Sequence, residues 1–148
     1  MSLRHLLLVV AIGAALAGCS SDNGYFEPAA SQDAAKLSPQ AAKTVAVDMA
    51  GKLADRLDPR SGPIMLAGDG SPIGAAFEEA LRGHGYRIHS SADQAPEIRV
   101  AYTIANVNGA IMVRLSTPTI ELSRTYVISG TGASPASPLS VLQYVKEG

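Results

Sequence analysis

Few residues in this 148-residue chain have the types and spacing that chemistry requires. Cys19 is the only thiol, so no disulfide can close within the chain. His84 and His89 lie five apart, outside any HExxH or paired-cysteine pattern that would hold a metal. His84 sits in Gly83-His84-Gly85, where capping of a helix end or exposure to solvent competes with a ligand role. His89 has the same alternatives on the polar side of a strand. Serines are many, but none has a GxSxG setting that would make it a nucleophile. Gly68-Asp69-Gly70-Ser71 precedes a helix, as a phosphate-cradling loop would, yet it lacks the lysine and glycine spacing of one; a turn followed by an N-cap accounts for it. Glu78, Glu79 and Arg82 read as a solvated helix face with an i,i+4 pair. The sequence therefore predicts no enzyme: no catalytic residue, no cofactor and no metal.

The position of Cys19 gives its thiol a different use. Met1 to His5 carries Arg4 as its only fixed positive charge, and Leu6 to Ala17 is an apolar and glycine run. That is the layout of an export signal. As a helix the run would reach about 18 Å, short of a hydrocarbon core of about 30 Å, so it does not make a comfortable membrane span. Its end, Leu16-Ala17-Gly18-Cys19, resembles the lipobox of bacterial lipoproteins. The resemblance implies that residues 1–18 are removed, that Cys19 takes a diacylglyceryl group and that its freed amine is then acylated. The competing reading is an ordinary signal with a chance cysteine near its cleavage site. Two or more acyl chains, each buried CH₂ worth about 0.8 kcal/mol, would anchor the chain stably. Ser20 stands where enterobacterial lipoproteins retained at the inner membrane carry aspartate, so the same resemblance implies the outer membrane, facing the periplasm.

The remainder is one domain's worth of chain. Without Arg4, eleven Lys and Arg face thirteen Asp and Glu, a net charge near −2 with no clustered basic face for nucleic acid. Aromatics are scarce, with no Trp, two Phe and five Tyr, so the core must come from Val, Ile, Leu and Ala. Residues 19–37 are polar and aperiodic and read as a flexible tether, with Tyr25-Phe26 either docking aromatics or an isolated pair. Ser38-Pro39 opens a helix whose apolar face is Ala42, Val45, Ala46, Met49, Ala50, Leu53 and Leu57, ended by Asp58-Pro59. Ile64 to Ala67 predicts a short strand buried on both faces. Ser71-Pro72 opens a second helix lined by Ile73, Ala76, Phe77, Ala80 and Leu81, stopped at Gly83 or Gly85. Tyr86 to Ser90 resumes as a strand.

Asn108-Gly109 is a strong hairpin signal, because a type I′ turn needs positive φ at both central residues. A two-residue turn there pairs Val107 with Ala110, Asn106 with Ile111, Ile104 with Val113 and Tyr102 with Leu115. That register puts Ile98, Val100, Tyr102, Ile104, Ile111, Val113 and Leu115 on one face, so turn and pattern agree. A third strand over Thr119 to Ile128 continues the parity with Ile120, Leu122, Tyr126 and Ile128. The expected fold is α+β: a small two-layer sandwich with two helices on a largely antiparallel sheet, in the order α-β-α-β-β-β-β over residues 38–129. Residues 130–148 read as a Gly/Ser/Pro-rich tail, with a linker over 130–140 and a loosely alternating, extended segment over Val141 to Val145. Arg124 breaks the pattern, falling between Leu122 and Tyr126 on the apolar face. An unpaired guanidinium there is costly, so it must snorkel at the sheet margin, close an internal ion pair, or anchor a partner together with Leu122 and Tyr126.

Four stretches together resemble the TrbH family of conjugal-transfer lipoproteins. They are Leu16-Ala17-Gly18-Cys19; Leu53 to Leu57 with Asp58-Pro59; Ile73 to Tyr86; and Leu122-Ser123-Arg124-Thr125-Tyr126. The resemblance does not reach the Pro-rich tail after Gly130. It implies an envelope component of a mating-pair-formation apparatus, a type IV secretion system moving plasmid DNA, with other subunits of the transfer channel as partners. It carries over no catalytic residue and implies no direct contact with nucleic acid. Without the resemblance, a lipoprotein that regulates a cell-wall enzyme would fit the same tether and domain.

Overall fold

The computed structural model describes residues 30–89 and 98–145. The export signal, Cys19, Tyr25-Phe26 and Ser90 lie outside the described residues. The element order is β1 (Gln32–Asp33), α1 (Pro39–Ala54), a 3₁₀ turn (Pro59–Ser61), β2 (Ile64–Leu66), α2 (Pro72–Gly83), β3 (Ile88–His89), β4 (Ile98–Val107), β5 (Ala110–Ser116), β6 (Ile120–Ser129), β7 (Gly132–Pro135) and β8 (Ser140–Gln143). The class is α+β, as the sequence pattern predicts.

Both helices start as their Ser-Pro pairs dictate. Ser38 Oγ accepts from the Ala41 amide at 3.2 Å, and Ser71 Oγ accepts from the Gly74 amide at 3.4 Å. Each satisfies one of the donors that a helix start leaves open. Ala42, Val45, Ala46, Met49, Ala50 and Leu53 of α1 are fully buried, as are Ile73, Phe77 and Leu81 of α2. The alanines let α1 sit close to its neighbours, while each large side chain taken from water contributes roughly 1.5–3 kcal/mol. Past α2, Gly85 takes φ 92°, the left-handed conformation that closes the helix end.

The sheet runs β3-β2-β4-β5-β6-β7, with β1 also on β4 and β8 also on β6. The hairpin register is the expected one: Val107 pairs with Ala110, Asn106 with Ile111, Ile104 with Val113 and Tyr102 with Leu115. Asn108 and Gly109 take φ of 50° and 82°, as a type I′ turn requires. Strand β6 continues antiparallel, pairing Leu115 with Leu122 and Val113 with Arg124. The other half of the sheet is parallel. Strand β2 lies between β3 and β4 and runs parallel to both, with α2 as the crossover from β2 to β3. Only Ile64 of β2 is buried; Met65 and Leu66 are half-buried, so this strand is covered less completely than its apolar run predicts.

The folded unit extends past both expected bounds. Gln32 and Asp33, within the expected tether, pair parallel with Thr103 and Ile104 on the edge of β4 that β2 leaves free. The expected tail supplies two strands, both antiparallel to β6 on its outer edge: β7 beside Tyr126–Ser129 and β8 beside Ile120–Ser123. Ala133 is buried, and Leu139 and Val141 pack on the core. A chain ending at Gly130 loses these strands and exposes the margin of the core. We expect it to melt well below the full chain, or without a cooperative transition, in thermal circular dichroism; an unchanged melting curve would show that β7 and β8 are dispensable.

Candidate functional site

Two clusters of polar side chains stand out, each centred on one carboxylate. The first joins the two layers. Arg124 of β6 donates from Nη1 to Asp48 Oδ2 of α1 at 2.9 Å, and Tyr126 Oη donates to the same oxygen at 2.6 Å. The guanidinium Nε donates to the Ser137 carbonyl at 2.9 Å, between β7 and β8. Side-chain exposure is 19% for Arg124 and 25% for Asp48, so the pair is shielded but not dry. Burial pushes the Tyr126 hydroxyl pKa far up, and its bond to Asp48 and the nearby carboxylate charge add to the rise. Tyr126 therefore remains a donor.

This arrangement decides among the readings open for Arg124: the residue closes an ion pair with α1. Leu122 and Tyr126 are fully buried, so neither side chain offers a surface to a partner. Asp48 is the member that sequence reading missed. Its signal was its place beside Val45 and Met49 on the margin of the buried face of α1, opposite a strand carrying one out-of-pattern cation.

The second cluster fixes the loop before α2. Asp69 Oδ1 accepts from the Ser71 amide at 3.0 Å and from the hydroxyls of Ser71 and Tyr102, while Oδ2 accepts from the Asp33 amide at 3.0 Å. Tyr102 also receives support from its ring, stacked on Phe77 with centroids 5.2 Å apart. Gly74 is required here: a Cβ at that position would lie 2.6 Å from Tyr102 Oη. Desolvation works to raise the Asp69 pKa, but the hydrogen bonds from Ser71, Tyr102 and the Ser71 and Asp33 amides outweigh it and hold the carboxyl at about 2. The Gly68-Asp69-Gly70-Ser71 segment is thus a turn plus N-cap, with Asp69 also tying down β1.

Neither cluster holds an imidazole against a nucleophile. The His84 amide caps α2 by donating to the Ala80 carbonyl at 3.2 Å and to that of Leu81 at 3.1 Å, and its ring lies exposed near Gly51. His89 is half-buried on β3, and its Nδ1 has no hydrogen-bond partner among the described residues. Among the described residues no three His, Cys, Asp or Glu side chains gather as a metal site. Among them, too, no helix is long and apolar enough to cross a membrane.

The family described as "Conjugal transfer protein TrbH" matches residues 21–144. The chain belongs to the TrbH family. A curated relative, "Probable conjugal transfer protein TrbH" of Sinorhizobium fredii (strain NBRC 101917 / NGR234), is 34% identical over 95% of this chain and 99% of its own. No solved structure matches. The TrbH match continues to residue 144, so β7 and β8, which the sequence resemblance left out, belong to the family's common part. Membership gives the chain a role in conjugation, and TrbH is a conjugal-transfer component rather than a known enzyme family.

Because the folded-state pKa of Asp69 lies below its ordinary 3.8, its contribution to stability is present above that value and is lost as pH falls towards about 2. Asp69→Asn should be less stable than the parent at neutral pH, and the gap should close across that acid window. Denaturant melts at a series of pH values check this; a gap independent of pH would mean that the charge of Asp69 is not what the loop uses.

Proposed function

We propose that this protein is a lipid-anchored envelope component of a mating-pair-formation apparatus, a type IV secretion system, and that it acts by binding other subunits of the transfer channel. The observation that carries the reading is Leu16-Ala17-Gly18-Cys19 at the end of a short apolar run, followed by a family match that begins at residue 21. Residues 1–18 serve as the export signal, and Cys19 carries diacylglyceryl and N-acyl chains. Ser20 directs the protein to the outer membrane, where the domain faces the periplasm. The tether is then the segment from Cys19 to the start of β1.

The polar clusters described above support a binding module over a catalyst. Their carboxylates are consumed in holding elements together, and neither cluster pairs a nucleophile with a base. The charge balance favours protein partners over direct contact with the transferred DNA. Leu122, Arg124 and Tyr126 take part in docking through the sheet edge they support, since their own side chains face inward.

Radiolabelled palmitate should enter the wild-type protein in the donor cell and not the Cys19→Ser variant. Plasmid transfer from a deletion donor should be restored by the wild type and fall at least about tenfold short with the variant, if anchoring concentrates the protein where it binds. Equal labelling of the two proteins removes the lipid assignment. Full transfer by an unlabelled variant separates the anchor from the function.

A further inference from the structure

Among the described residues, the outer edge of the sheet carries devices against further strand pairing along one half and none along the other. Both β7 and β8 lie on the same side of β6, separated by a bulge over residues 136–139. In an antiparallel ladder, alternate residues turn their amide and carbonyl inward, and the rest turn them outward. The Ala136 amide donates to the Thr125 carbonyl at 2.9 Å, so Pro135 falls at an outward position and presents no N–H there. Pro135, Pro138 and the bulge, which Arg124 and Ser137 fill, blunt this half of the edge against further strand pairing.

Among the described residues, strand β8 has no such device. The Tyr144 amide donates to the Thr119 carbonyl at 2.8 Å, extending the ladder by one residue past Gln143. By alternation Ser140, Leu142 and Tyr144 face β6, while the backbone groups of Val141, Gln143 and Val145 point away from it. Residues 140–145 contain no charge and no proline. Leu142 and Val145 are 51% and 72% exposed, and Tyr144 is exposed as well.

We propose that this edge is the dimer contact of the protein: β8 pairs antiparallel with β8 of a second copy across a two-fold axis. Backbone geometry restricts the register. Outward residues must meet outward residues, so the axis has to pass through a residue rather than between two. An axis at Gln143 aligns all of residues 141–145. It sets Val141 against Val145 of the second copy, Leu142 against Tyr144, and Gln143 against itself. Each exposed apolar side chain then meets an apolar one on its own face of the joined sheet, and no like charges oppose each other. An axis one turn of the ladder away, at Leu142, would set Val141 against Gln143 and Ser140 against Tyr144, mixing polar with apolar. A contact this short buries less than the roughly 1,200 Å² of a stable complex, so it is a weak dimer.

The test uses the full-length chain in detergent. Gln143→Pro deletes only an outward N–H and leaves the bonds of β8 to β6 in place. Sedimentation equilibrium should show a concentration-dependent dimer for the wild type and a monomer for Gln143→Pro, with unchanged melting temperature. Gln143→Cys should form a covalent dimer under mild oxidation, while the wild type, carrying only Cys19, and Thr103→Cys on the open sheet face should not. A wild type that stays monomeric up to its solubility limit overturns the proposal. So does a dimer that survives Gln143→Pro without cross-linking through residue 143, or an edge that captures a strand of a different protein and leaves this chain monomeric.

Discussion

A cation on the apolar face of a sheet must find its counter-charge, and this constraint shapes the outer half of the molecule. Val113 and Arg124 are register partners, so the guanidinium rises from the same face as the core-forming Val113. Asp48 meets it from α1, Tyr126 shares the same carboxylate oxygen, and the Ser137 carbonyl takes the remaining reach of the arginine. A single side chain thus links the helix layer, the central antiparallel strands and the chain beyond Gly130. Such a pair adds little beyond what well-packed apolar groups would give, but removing one member leaves a shielded charge unanswered. Its consequence here is positional: α1 has one seating on the sheet, and the bulge between β7 and β8 has one place to form.

The Asp69 cluster does the same for the inner half. Its carboxylate receives the Asp33 amide, the Ser71 amide and hydroxyl, and the Tyr102 hydroxyl, so β1, the start of α2 and β4 are held at one point. Gly74 lets the Tyr102 hydroxyl reach it. Both clusters consume their polar groups in architecture.

The helices, their caps and the β4–β5 hairpin were legible because their signals are local. Ser-Pro starts, three- and four-residue periodicity and a two-residue Asn-Gly turn each specify a structure within a few residues. The apolar position of Arg124 followed from the same parity. Its partner did not, because Asp48 lies 76 residues away and ordinary helix patterning treats it as one more surface acid. Strand β7 was hidden by composition: Gly132 to Pro138 reads as linker, yet an edge strand tolerates proline wherever its missing N–H faces outward. Strand β8 showed only as the loose alternation of Val141 to Val145, with no signal of its pairing to β6. The two-residue β1 carries no pattern of its own and exists because Asp69 and β4 are there to receive it.

The claim that Arg124 and Asp48 lock the layers together is tested most directly by a double-mutant cycle on the two residues, read by urea denaturation of the full chain. The account predicts that Asp48→Ala and Arg124→Ala each destabilise and that the double variant is more stable than their sum implies. The coupling energy should be about 1–3 kcal/mol, as for residues in one ion-pair network. Strict additivity of the two substitutions would contradict it.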